Sequence, residues 1–187
     1  MKKIVFEGEV YYYQGGNLFD ELYIEVPKTQ ARDILADYYK DIDYKKFSEN
    51  ELIDYIIELK KAENYSVCLK IIEYGAEKFF DLPNYFRVVF PVATSCYRRM
   101  GQPQKAIDFW MKNKNIFQKF TESVALLTSL AAAYCDVKDY KKAKYCADRA
   151  YVTQGGGQGY KNELTLVYRR IDKEAPELFE ECDFQGV

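Results

Sequence analysis

Three small residues at a near-constant spacing constrain this chain most. Cys68, Ala106 and Ala143 follow one another at intervals of 38 and 37 residues. Each lies in the second half of a similar block. The first half is an amphipathic run, marked by Leu52, Tyr55, Ile56 and Leu59, then by Phe90, Ala93, Thr94 and Tyr97, then by Leu127, Leu130, Ala131 and Tyr134. These residues recur at steps of three and four, the spacing of one helix face. A turn follows (AENY, MGQP or DVKD), and then a second stripe. That stripe holds Cys68, Leu69, Ile72 and Ala76, or Ala106, Trp110 and Asn113, or Ala143, Ala147 and Ala150. Small residues at fixed places let two helices cross closely, where larger side chains would hold them apart.

These spacings resemble the tetratricopeptide repeat. Its first helix carries a bulky residue, then Leu and a small residue, then Tyr, and its second helix carries alanines at the crossing points. The resemblance is closest over 124–154, good over 87–113 and weaker over 49–76, where Cys68 replaces the expected alanine. Moving the third block on by 34 residues puts Leu164, Thr165 and Tyr168 at the family's Leu, small and Tyr positions. The resemblance therefore implies a mainly α fold, a tetratricopeptide-like α-solenoid of about three and a half helix-turn-helix repeats. It would occupy residues 48–187, with KEAPELFEECDF as a capping segment. The period is longer than 34, so PNYF (83–86) and residues near 121–123 read as insertions. Pro91 falls inside a first helix, which predicts that this helix starts late or kinks.

Residues 1–47 have a different pattern. KIVFEGEVYYY (3–13) and LYIEV (22–26) are rich in β-branched and aromatic types, with Gly15, Gly16 and Asn17 between them. This predicts a β-hairpin over 3–26, closed by Pro27. A lone hairpin is marginal in water, so it must pack on helices or pair with another strand. An uncovered edge would offer a homodimer contact through the hairpin. A helix is expected over about 30–40 with Ala31, Ile34, Leu35 and Tyr38 on one face, then a connector over 41–47. Ser48 and Glu51 have capping-box spacing before the next helix.

A formal net charge of −2 does not favour wholesale nucleic-acid binding, although it permits a local basic patch. The chain contains no histidine, which removes the commonest general base and transition-metal ligand. Cys68, Cys96, Cys135, Cys146 and Cys182 lack C-x-x-C spacing and fit reduced thiols in a cytoplasm, though a Cys135–Cys146 bridge stays open. MKKIVFEGEV is not a signal peptide, and no run of about 18 apolar residues is present. QGGGQG (154–159) follows a helix rather than a strand and lacks both phosphate-loop patterns, so it reads as a joint. Asp54 with Glu58, and Glu180 with Glu181, read as solvated faces rather than acid–base pairs. No catalytic residue, metal site or cofactor is expected.

The residues after each signature Tyr position form a series: Lys60–Lys61, Arg98–Arg99, Cys135–Asp136 and Arg169–Arg170. TSCYRR (94–99) and TLVYRR (165–170) are an echo of the same kind. The resemblance places these positions on or near the concave face that the family uses for peptides. Ile53, Ile57, Pro91, Ser95, Thr128 and Ala132 occupy the positions of the family's carboxylate clamp, and the clamp set is absent. The expected surface combines small and apolar Ile53, Ile57 and Ser95 with the cations Lys60, Lys61, Arg98, Arg99, Arg169 and Arg170. The expected function is a non-enzymatic adaptor or regulator that binds an acidic or mixed apolar–acidic protein segment. A nucleic-acid-associated regulator, or an inhibitor of a phosphate-binding protein surface, is the alternative, and an enzyme of unknown class the third. The acidic–aromatic end, EAPELFEECDFQGV (174–187), reads either as a cap of the core or as a mimic of the ligand.

Overall fold

A computed structural model describes residues 1–40, 42–79, 83–117, 123–153 and 161–180. Among them the chain is mainly helical, with one small antiparallel sheet. Contact density divides it into two compact units, Met1–Phe80 and Asp81–Val187.

The first unit opens with three strands, β1 (Lys2–Phe6), β2 (Glu9–Gln14) and β3 (Asn17–Phe19), in the order β1-β2-β3. The expected hairpin is thus a three-stranded meander. Glu7 (φ 51°) and Gly8 (φ 88°) turn the chain inside KIVFEGEVYYY and split it into two strands. Gly15 (φ 64°) and Gly16 (φ 102°) make the second turn, where a Cβ on Gly16 would stand 3.2 Å from Lys61 Cβ. LYIEV is not a strand. The Asp20 carboxylate accepts hydrogen bonds from the amides of Leu22 (2.9 Å) and Ile24 (2.8 Å), which takes them out of any ladder. Pairing resumes only as a bridge between Phe19 and Glu25.

Alternation along the strands turns Ile4, Tyr11, Tyr13 and Leu18 inward, where they are buried. They face α1 (Lys28–Lys40) and α2 (Glu49–Lys61). In α1 the buried residues are Ala31, Ile34, Leu35 and Tyr39. Tyr39 takes the place expected for Tyr38 because its ring meets that of Tyr55, with centroids 5.3 Å apart. The capping box at Ser48 and Glu51 forms as the sequence predicts. Helix α2 then packs on α3 (Tyr65–Lys78) through Leu52, Ile56 and Leu59 against Cys68, Ile71 and Ile72.

The second unit contains α4 (Pro83–Arg99), α5 (Pro103–Phe117), α6 (Val124–Asp136), α7 (Tyr140–Thr153), α8 (Lys161–Glu174) and the single turn α9 (Glu177–Glu180). Helix α4 runs through Pro91 and takes in residues 83–86, so it does not start late. Tyr85, Phe86 and Phe90 are fully buried, with successive ring centroids 5.5 Å apart. This aromatic packing extends the helix ahead of Pro91, where propensity alone would end it. Ser123 caps α6, its side chain accepting a hydrogen bond from the Leu126 amide. Helix α6 packs on α4, α5, α7 and α8, most extensively on α7. The sequence echo is not a structural one. Thr94 is buried with Oγ1 donating to the Phe90 carbonyl (2.9 Å), whereas Thr165 is exposed. Leu164, Val167 and Ile171 form the buried stripe of α8 instead. QGGGQG at 154–159, the segment near 118–122 and the acidic end after 180 lie outside the described residues.

Ala143 and Ala147 are fully buried where α7 crosses α6, while Lys141 on the same helix is exposed. Ala143→Leu and Ala147→Phe should each destabilise by ~1–3 kcal/mol through overpacking. Lys141→Leu should leave the chemical-denaturation midpoint unchanged. Wild-type midpoints for both alanine variants would contradict the crossing.

Candidate functional site

The last turns of α4 and α6 meet α8 in a charge cluster. Asp136 ends α6, and its two carboxylate oxygens are divided between neighbours. Arg98 Nε of α4 donates to Oδ2, and Arg170 Nη1 of α8 stands 2.8 Å from Oδ1. Helix α6 therefore lies between α4 and α8. The acid fills the gap in the cationic series and neutralises part of it. Burial pushes the Asp136 carboxyl up, but the hydrogen bonds from Arg98 and Arg170 outweigh it and hold it below the usual carboxylate range. Beside it, burial pushes the Cys135 thiol up, so it stays protonated and unreactive.

Each of the same three helices also carries residues open to solvent. On α4, Val88, Ser95 and Arg99 fall at steps of seven and four, with Pro91 alongside. Val88 is 37% exposed and Arg99 is exposed. Helix α6 contributes small, partly exposed Ala125 and Ser129, and Ala132 next to them is almost covered. On α8, Leu166 is 57% exposed and is flanked by exposed Arg169 and Arg170. Thus α4 and α8, the two helices that flank α6, each combine an exposed aliphatic residue with guanidinium groups, and α6 contributes small side chains. Among the described residues no cluster of His, Cys, Asp or Glu could hold a metal ion. No described helix is long and apolar enough to cross a membrane.

Ile53, Ile57, Lys60 and Lys61 belong to the first unit. Ile53 is buried, Ile57 and Lys60 are partly exposed, and Lys61 lays its stem against the Gly16 turn. Glu58 is not a plainly solvated acid. It stands 3.5 Å from both Lys2 Nζ and the Tyr39 hydroxyl, and its carbonyl accepts a hydrogen bond from Tyr13. Burial pushes the hydroxyls of Tyr39 and Tyr55 up, so both rings stay un-ionised beside this pair.

Counting net charge over the whole chain missed how unevenly the charge is spread. The second unit, residues 81–187, holds sixteen Lys and Arg against thirteen Asp and Glu, five of those acids falling after residue 173, whereas residues 1–80 hold eleven against sixteen. The four described cysteines are buried thiols, with no disulfide among them, and Cys182 lies outside the described residues. At the C-terminal side, the Phe179 ring sits 6.2 Å from that of Tyr168 and beneath Lys144 Nζ (5.4 Å), while Ala175 is buried. The described start of the acidic end thus packs on α8, with a lysine of α7 over its ring. Comparison of the chain with protein-family models, curated proteins and solved structures gave no match.

The depressed pKa of Asp136 makes a pH-dependent contribution to stability. That contribution is complete above the ordinary aspartate value of about 4. It is lost as the pH falls through the lower native value, because protonation then breaks both ion pairs. Asp136→Asn should destabilise the protein by about 1–2 kcal/mol at pH 7, the arginines being partly solvated. It should also flatten the fall in stability below about pH 4. An acid limb identical to that of the wild type would show that the bridge contributes nothing.

Proposed function

We propose that this chain is a non-enzymatic protein-binding module of the adaptor or regulator type. In this reading α2–α3, α4–α5 and α6–α7 are tetratricopeptide-like helix pairs, and α8 with α9 is a shortened terminal unit. The face formed by α4, α6 and α8 takes up a protein segment that carries acidic and apolar side chains. The observation that carries the proposal is the pairing of exposed aliphatic and guanidinium groups, Val88 with Arg99 on α4 and Leu166 with Arg169 on α8, on the two helices that flank α6. Aliphatic contacts supply affinity and the arginines select for carboxylates, which they can engage through two parallel hydrogen bonds. Arg98 and Arg170 are already held by Asp136, so selectivity falls mainly to Arg99 and Arg169. The buried thiols fit a reducing compartment, and we place the protein in the cytoplasm.

The test is fluorescence anisotropy with a labelled peptide that alternates Glu with Leu and Phe, beside the same peptide with Gln in place of Glu. The acidic peptide should bind at least tenfold tighter, and its advantage should shrink as salt rises. Arg99→Glu with Arg169→Glu should abolish that advantage without shifting the melting temperature, because both side chains lie in solvent. Equal affinity for the two peptides, or an unaffected double variant, would overturn the proposal.

A further inference from the structure

We propose that the outward face of α7 binds single-stranded nucleic acid. Lys141, Tyr145, Arg149 and Val152 follow one another at steps of four, four and three, so they form one stripe along the helix. All four are exposed, Tyr145 by 60% and Val152 by 76%. Tyr151, 57% exposed, stands beside the stripe, and Lys138 precedes it in the turn. The opposite side of α7 carries buried Ala143, Cys146, Ala147 and Ala150, which meet α6 and α8. The stripe therefore points away from those helices and is separate from the face proposed for protein segments.

The charges of this helix are arranged in its favour. Asp139 is held by Lys142 Nζ (2.7 Å), and Asp148 by Lys144 Nζ (2.7 Å) and the Tyr168 hydroxyl (2.8 Å). Both acids are thus engaged at the flanks, and an exposed acid near the start of the stripe is Glu177 of α9, which shares a surface pocket with Lys138 and Lys141. Lys141 and Arg149 are eight residues apart, about 12 Å along the axis. Tyr145 lies between them, with the Arg149 guanidinium 5.7 Å from its ring centroid. Cations that follow a phosphate backbone, with an aromatic ring between them for a base to stack on, make up the usual platform for single strands. Over the second unit as a whole, residues 81–187, Lys and Arg exceed Asp and Glu by three, a modest field of the right sign. Two exposed tyrosines favour a nucleic acid over an acidic peptide, because a base gains from stacking on the ring and a carboxylate does not. They favour a single strand over a duplex, whose bases are already stacked on one another.

The test uses the full chain and a fluorescein-labelled 15-nucleotide oligo-U, followed by anisotropy at low and rising salt. Binding should weaken linearly in log Kd against log salt. Lys141→Glu with Arg149→Glu should weaken it at least tenfold. Tyr145→Ala should weaken it at least fivefold, by loss of stacking. Arg99→Glu with Arg169→Glu should leave it within twofold, and circular dichroism should show every variant as helical as the wild type. Failure to bind oligo-U at low salt would overturn the proposal. So would a Tyr145→Ala variant of undiminished affinity, or a poly-Glu peptide that competes as well as the oligonucleotide. Loss of oligo-U binding in the α7 variants, with acidic-peptide binding retained, would keep the two faces distinct.

Discussion

The second unit depends on the close approach of α6 and α7. Ala131 and Ala133 on one helix and Ala143, Ala147 and Ala150 on the other are all fully buried. Alanine removes little apolar area from water, so its contribution here is geometric. It brings two backbones near enough for Leu126, Leu127 and Leu130 to fill the surrounding layer at interior density. That placement has two consequences. It holds α6 between α4 and α8, so that Asp136 reaches an arginine on each side. It also turns the opposite half of α7 to solvent, with its lysines, Arg149 and tyrosines.

Charge compensation at Asp136 divides the arginines of this unit into two groups. Arg98 and Arg170 brace α4 and α8 against the end of α6, while Arg99 and Arg169 remain at the surface. A carboxylate with two guanidinium partners is stabilising only while both remain, since removal of the acid leaves like charges facing one another. The series of cations is therefore a mixed feature, partly a brace for the helices and partly surface chemistry.

The first unit solves a different problem. A three-stranded sheet buries one face, and Ile4, Tyr11, Tyr13 and Leu18 do so against α1 and α2. The loop after β3 keeps Leu22, Tyr23 and Ile24 in solvent, with Tyr23 at a φ of 61° and its ring stacked on Tyr12 at 5.1 Å. The Asp20 carboxylate holds this arrangement by occupying two amides that a strand would have used. Much of the unusual tyrosine content is structural in the same way. Tyr39 and Tyr55 bury their rings together, and the Tyr55 hydroxyl donates to the Tyr39 carbonyl.

Helix faces were legible from spacing because the helical period is a local property. Leu52, Ile56, Leu127, Ala131, Ala143 and Ala147 turn inward as their steps of three and four require. The capping box at Ser48 was equally plain, since its partners are three residues apart. Elements whose state depends on remote contacts were not. Pro91 reads as a late helix start or a kink, yet α4 already begins at Pro83 and runs through it. LYIEV alternates like a strand, yet a carboxylate outside it withdraws its amides. Thr94 and Thr165 share a motif, yet one is covered and the other exposed, because burial depends on what lies opposite rather than on neighbours in the chain. The candidate site divides along the same line. Its residue types are visible in the linear order of Arg98, Arg99, Arg169 and Arg170. Which of them are neutralised is not, because Asp136 lies 38 residues from Arg98 and meets it only when α4 and α6 pack side by side.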